Sequence, residues 1–204
     1  GLSCGRMALE KAGIKVDRYY ASEIKDIAIK ATKHNFPDTI FIGEINKMTY
    51  SDGILHTENG DFKEQFDLVI YGSPCQSCSR AMPTATRTGL KDTVKSGLFF
   101  ECNRIMKEVN PKYFLMENVV MKKEDENTIT ELMGVNPVRI NSRIITAQMR
   151  DRLYWTNIPF NEIKPKEVKV SDILNFIYVA RYAKNMWCNN SASFICNISL
   201  NAFN

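Results

Sequence analysis

A thiol, a carboxylate and a pair of guanidinium groups stand in this 204-residue chain where they could act together. Phe66-Asp67-Leu68-Val69-Ile70-Tyr71-Gly72 reads as a buried strand running into a tight turn, and Pro74-Cys75-Gln76 follows it. Gly72 allows the turn, and Pro74 fixes φ and withholds an N–H. Cys75 would thus be held rigidly at the mouth of a sheet, where a nucleophile is useful. Lys112-Tyr113-Phe114-Leu115-Met116-Glu117-Asn118-Val119 repeats the pattern and ends its strand in the carboxylate of Glu117. Gln148, Arg150 and Arg152 alternate at period two, so an extended segment would point all three to one side.

The elements that must position these groups alternate between strand and helix. A short helix is expected after Gly1-Leu2-Ser3-Cys4-Gly5, ending before Gly13, and a strand over Arg18 to Ser22 ending at Glu23. Lys25 to Asn35 has helical spacing, and Thr39 to Gly43 reads as a strand ending at Glu44. Asp67 to Tyr71, a helix from about Gly97 to Val109, and Lys112 to Glu117 continue the rhythm. The fold class is therefore α/β with a mainly parallel central sheet, whose ligands sit beyond the carboxyl ends of the strands. Gly5, Glu23, Glu44, Cys75 and Glu117 all fall at or just after such ends.

Composition sets the wider bounds. The hydrophobic fraction of 44% with 25% charged residues is that of a globular protein, and a formal net charge of +4 does not by itself indicate nucleic acid. There is no long apolar run and no signal-peptide pattern, so a cytoplasmic protein is expected. The six cysteines lack the dense spacing of a disulfide scaffold. Cys75-x-x-Cys78 invites a zinc or redox reading, but no further Cys or His stands at ligand spacing, and no metal is expected. Charge is distributed more tellingly: Arg80, Arg87, Lys91 and Lys95 oppose Asp92 alone just after Cys75, among Ser, Thr, Ala and Gly. This stretch reads as a cationic loop suited to a phosphate backbone, against the plainer reading of a solvated surface loop.

Both ends break the pattern. A Gly-rich turn needs a strand to hang from, so Gly1 reads as a cut point inside a first βα unit, and a sheet without that strand would expose an unpaired apolar edge in its middle. Residues 1–160 form the expected catalytic domain. Residues 161–204 read as a charged linker with Pro165 followed by an uncharged, Asn-rich tail from Asn185, in which neither helical nor strand period is visible.

These residues, in this order, resemble the DNA cytosine-5 methyltransferases, from bacterial and phage restriction-modification enzymes to the animal de novo branch. The likeness runs from Gly1 to about Pro159 on Gly1-Leu2-Ser3-Cys4-Gly5, Glu23, Gly72-Ser73-Pro74-Cys75-Gln76, Glu117-Asn118-Val119 and Gln148-Met149-Arg150-Asp151-Arg152. It implies an S-adenosylmethionine-dependent, Rossmann-like fold, incomplete at the N-terminus, and methyl transfer to carbon 5 of a cytosine flipped out of double-stranded DNA. Cys75 would be the nucleophile, Glu117 the acid at ring nitrogen 3, and Arg150 and Arg152 the clamps on base and phosphate. S-adenosylmethionine would lie among Gly1, Leu2, Ser3, Cys4, Gly5, Glu23, Ile24, Glu44, Ile45, Gly72, Pro74 and Leu98, with Glu44 at the adenine amine, where relatives often carry Asp. DNA would meet Gln76, Ser77, Ser79, Arg80, Arg87, Lys91, Asn118 and Gln148. Ser77-Cys78-Ser79-Arg80 departs from the small residue and aromatic usual after Pro-Cys-Gln. A catalytically silent DNA- or partner-binding homologue is the competing reading, and RNA is an alternative polymer.

Overall fold

The computed structural model describes residues 1–73, 89–91, 93–166, 168 and 192–198, the last stretch as backbone. In chain order the elements are α1 (Cys4–Lys11), β1 (Val16–Ser22), α2 (Asp26–Asn35), β2 (Ile40–Phe41), β3 (Thr49–Ser51), β4 (Ile54–Thr57) and β5 (Gly60–Lys63). There follow β6 (Leu68–Gly72), α3 (Thr93–Val109), β7 (Tyr113–Val119), α4 (Lys123–Met133), β8 (Val138–Asn141), β9 (Asp151–Thr156) and β10 (Ala192–Ile198).

Seven strands make one sheet in the order β2-β1-β10-β6-β7-β9-β8. β1, β2, β6, β7 and β8 run in one direction, and β9 and β10 run against them. The expected mainly parallel α/β sheet is thus present. The direct parallel ladders are β1–β2 and β6–β7. Strand order turns back between β1 and β6, so the crevice at their carboxyl ends is the place where this kind of sheet binds ligands.

Buried strands in such a sheet carry apolar side chains on both faces. Tyr20, Val69, Tyr71 and Met116 join the larger core, together with Phe99, Cys102, Ile105, Met106 and Val109 of α3, whose three- and four-residue spacing makes one apolar helix face. Tyr19, Ala21 and Leu68 face the other way and pack with Leu9 of α1. Trp155 of β9 is fully buried and its indole N–H donates to Thr130 Oγ1 at 3.0 Å, tying α4 to the sheet. A buried side chain of that size contributes about 1.5–3 kcal/mol. α4 carries Glu124, Asp125 and Glu126 in its first turn, where the helix dipole favours acids, and ends at Gly134 with φ 70°.

Three expectations are corrected. The tail without visible period supplies a strand, β10, whose backbone pairs antiparallel with both β1 and β6. The middle of the sheet is accordingly filled rather than left as an unpaired edge. α3 begins at Thr93, a turn earlier than Gly97. The small antiparallel sheet β3-β4-β5 was not foreseen. Its first turn, Asp52-Gly53 with φ 52° and 76°, is the two-residue type whose composition favours hairpins.

Candidate active site

β6 and β7 lie side by side with Tyr71 paired to Met116, so the next residues, Gly72 and Glu117, are neighbours. A Cβ placed on Gly72 would sit 3.2 Å from Glu117 Oε2, and the missing side chain leaves the carboxylate its room. β7 does not stop at Glu117 but pairs Asn118 and Val119 with Leu153 and Arg152 of antiparallel β9. That ladder brings the cations in. Arg152 Nε lies 2.8 Å and Arg150 Nη2 3.1 Å from the same oxygen, Glu117 Oε1. Arg152 also donates from Nη1 to the Asp151 carbonyl at 2.8 Å, and Arg139 grips the Asp151 carboxylate from β8, fixing the strand that carries the pair.

Asn118 ties the two strand ends together. Its Nδ2 donates to Ser73 Oγ at 3.1 Å while its Oδ1 accepts from the Val119 N–H at 2.8 Å. Ser73, the residue before Pro74-Cys75, is thereby anchored to the Glu117-Asn118-Val119 segment. Tyr154, opposite Glu117 in the ladder, continues the alternation of Arg150 and Arg152. Burial pushes its phenol up, Glu117 adds to the rise and the two arginines oppose it. Extending the period-two pattern by one step would have found it. Gln148 lies instead in an exposed bend before β9, where its carbonyl accepts from Ser142 Oγ, so the expected alternation from Gln148 to Arg152 holds only for the two arginines.

At the opposite side of the strand-order reversal, Ser3 is buried in the left-handed region at φ 54°, and its hydroxyl meets Thr32 Oγ1 of α2 at 3.1 Å. Gly5 lies against Ile70 of β6, where a Cβ would approach to 3.2 Å. Glu23, just past β1, is buried. Its Oε1 accepts from the backbone N–H groups of Ile24 and Lys25 at 2.9 Å each, and its Oε2 meets the amino group of Gly1. Glu44, past β2, is partly exposed, with Asn46 Nδ2 3.2 Å from Oε1 and Lys47 Nζ 3.4 Å from Oε2.

The other candidates are scattered around these anchors. Leu2 is half-buried, Cys4 and Ile24 are exposed, and Ile45 is buried in the main core, against which Leu98 packs from α3. Lys91 closes a short turn at Gly89–Lys91, where the Leu90 N–H donates to Asp125 Oδ1 at 3.1 Å. Pro74, Cys75, Gln76, Ser77, Ser79, Arg80 and Arg87 lie outside the described residues, as does most of the cationic stretch.

The profile of C-5 cytosine-specific DNA methylases matches residues 1–135, well over half of the chain. The chain belongs to this family. Among its relatives, the type II methyltransferase M.NgoBV of Neisseria gonorrhoeae is 37% identical over 128 residues, 62% of this chain and 27% of that protein. M1.ScrFI of Lactococcus lactis subsp. cremoris, also a type II methyltransferase, is 38% identical over 69% of this chain and 35% of its own length. The orphan methyltransferase M.Rho11sI of Bacillus phage rho11s aligns with all of the chain at 26% identity and 38% of its own length. This methylase-family chain therefore spans well under half the length of the curated relatives it matches. A proposed DNA modification methyltransferase encoded within a prophage of E. coli has the same fold, with a TM-score of 0.57 at 21% identity over 85% of this chain and 51% of the other.

Proposed function

We propose that this chain is the catalytic part of a restriction-modification type DNA cytosine-5 methyltransferase, with Cys75 as nucleophile, Glu117 as acid, and Arg150 and Arg152 as clamps. The observation that carries the reading is the convergence of Arg150 and Arg152 on Glu117 beside Gly72, the residue from which the chain leads to Cys75. Carbon 5 of cytosine is a weak nucleophile. Addition of the Cys75 thiolate at carbon 6 makes it reactive, provided the charge arriving on the ring is neutralised. Glu117 supplies a proton or strong hydrogen bond at ring nitrogen 3, and planar guanidinium donors hold the base carbonyl and the neighbouring phosphate. Once carbon 5 has gained the methyl group, solvent water or hydroxide takes the carbon 5 proton, that electron pair re-forms the 5,6 double bond, and the carbon 6–sulfur bond breaks to release the Cys75 thiolate.

S-adenosylmethionine supplies an electrophilic methyl group when bound. The residues present fit it: Ser3, left-handed at the start of α1, and Gly5, packed closely on β6, precede two carboxylates, Glu23 and Glu44, at the ends of adjacent parallel strands. Acids so placed accept from ribose hydroxyls and from an exocyclic amine. The substrate is cytosine in double-stranded DNA, flipped from the stack at a cost of a few kcal/mol, which contacts from the cationic stretch after Cys75 offset. No helix among the described residues is long and apolar enough to cross a membrane, and the cytoplasm, where DNA is found, is the proposed location.

Trapping tests this reading. Incubation with S-adenosylmethionine and duplex DNA carrying 5-fluorocytosine should give a covalent adduct on a denaturing gel, absent for Cys75→Ser. A folded chain that gives none is a silent homologue, not an enzyme.

A further inference from the structure

The β4–β5 hairpin closes with Thr57 paired to Gly60, leaving Glu58 and Asn59 as its two turn residues. Both reach out of the small sheet onto the end of β2. Glu58 Oε1 accepts from the Glu44 backbone N–H at 3.0 Å, and Asn59 Nδ2 donates to the Phe41 carbonyl at 2.9 Å. Between these two contacts the chain turns at Gly43 with φ 80°, and any Cβ there would fall 2.5 Å from Glu58 Oε1. Ser22 Oγ holds the Gly43 carbonyl from the β1 side at 2.8 Å. The corner bearing Glu44 is thus gripped by the hairpin turn from one side and by β1 from the other.

Charge is organised at the same place. Lys47 Nζ is 2.8 Å from Glu58 Oε2 but 3.4 Å from Glu44 Oε2, so Glu58 takes the closer share of the cation. The pairing holds the Glu58 carboxyl below its usual range and the Lys47 ammonium above its own. Without Glu58, the ammonium would close on Glu44 and compete with any ligand donor for its carboxylate. Glu44 is one methylene longer than Asp, and a longer side chain needs a more firmly fixed backbone to present its oxygens at one point.

We infer that Glu58, assisted by Asn59, is a positioning residue that fixes Glu44 and thereby selects a 6-amino purine over a 6-oxo purine at the end of β2. This rests on the reading of Glu44 as the contact to the adenine amine of the cofactor. A 6-oxo purine presents an acceptor where adenine presents a donor, so a held carboxylate should reject it.

Calorimetric titration of the whole chain with S-adenosylhomocysteine and with its inosine counterpart tests the inference through the ratio of the two affinities. Glu58→Ala should weaken S-adenosylhomocysteine about tenfold, the equivalent of one lost hydrogen bond, and compress the ratio towards one. Glu58→Gln, which keeps an oxygen for the Glu44 N–H, should recover most of that ratio. If Glu58→Ala lowers the melting temperature but leaves the ratio at its wild-type value, the residue is structural and the inference fails. Glu44→Gln separates the two levels: a ratio unmoved by Glu44→Gln, or no binding by the wild-type chain, removes the adenine reading itself. A ratio that collapses in Glu44→Gln and persists in Glu58→Ala overturns the role of Glu58 alone.

Discussion

Glu117 occupies space that exists because Gly72 has no side chain. A methyl group at Gly72 would lie 3.2 Å from Glu117 Oε2 and 3.4 Å from its carbonyl oxygen. The carboxylate cannot simply swing away, because its other oxygen is held by Arg150 and Arg152. Gly72→Ala should therefore cost about 10- to 100-fold in methyl transfer, the scale of a misplaced reacting group, with a melting temperature close to wild type. Initial rates on duplex DNA, beside a thermal melt, check this. An unimpaired rate would mean that the Glu117 position is not critical.

The two arginines are not equivalent. Arg152 makes the shorter contact to Glu117 through Nε at 2.8 Å and belongs to β9, whereas Arg150 precedes the strand and reaches at 3.1 Å. Arg152→Ala is expected to lower the rate of adduct formation by roughly 100-fold and Arg150→Ala by less, in line with the loss of a preorganised donor in a closed site. Arg152→Lys should not restore the rate, because an ammonium cannot reproduce the planar fork. Single-turnover rates for the three variants give the order directly.

Cys75→Ser should abolish methyl transfer and the 5-fluorocytosine adduct while leaving affinity for S-adenosylmethionine within a few fold. Equal loss of binding and chemistry would make Cys75 a structural residue. Filter binding and gel trapping on one preparation distinguish the two outcomes.

How far the sequence foretells this arrangement depends on the range of the forces involved. β6 is legible because Leu68 to Tyr71 is a largely buried apolar run, and β1 and β7 because aromatic and aliphatic residues cluster at Tyr19 to Ala21 and at Tyr113 to Met116, all local signals. Glu117 and Arg152 could be paired in advance because period two survives in β9, although Gln148 and Arg150 lie outside the strand. The missed hairpins did carry a local sign in Asp52-Gly53. α4 carried another in Ile129 and Met133 ahead of Gly134. The grip of Glu58 and Asn59 on the β2 corner joins turn residues to backbone 14 and 18 positions away, with nothing periodic to mark it. β10 is the extreme case. Its seven residues have no telling pattern, and its place follows only from the open hydrogen-bonding edges of β1 and β6, far back in the chain.

That dependence is testable by backbone chemistry alone. Ile195 of β10 pairs with Tyr20 on one side and Val69 on the other. Proline at an interior strand position removes a ladder N–H and does not fit a central strand. Ile195→Pro should lower the denaturation midpoint, with faster hydrogen exchange at the amides of β1 and β6. Unchanged exchange would show that β10 does not close the sheet.

Tyr20 gives a pH signature for the part of the core that joins the two sheets. Its hydroxyl donates to Glu64 Oε2 at 3.0 Å, and Arg18 Nε lies 2.9 Å from the same carboxylate oxygen. Burial first, then the hydrogen bond and charge of Glu64, push the phenol up to about 12 from an ordinary 10, with Arg18 opposing. A raised folded pKa means that the folded state holds the proton more tightly than the unfolded chain. The resulting stabilisation is complete below pH 10 and is lost as pH rises from there through about 12. Tyr20→Phe removes the hydrogen bond and should destabilise the protein by about 1–2 kcal/mol at neutral pH. Because the variant has no phenol to ionise, the stability gap between it and the wild type should close across that alkaline window. Urea midpoints for both proteins at pH 8 and above measure the gap, and one that stayed constant would show that folding does not raise the Tyr20 phenol.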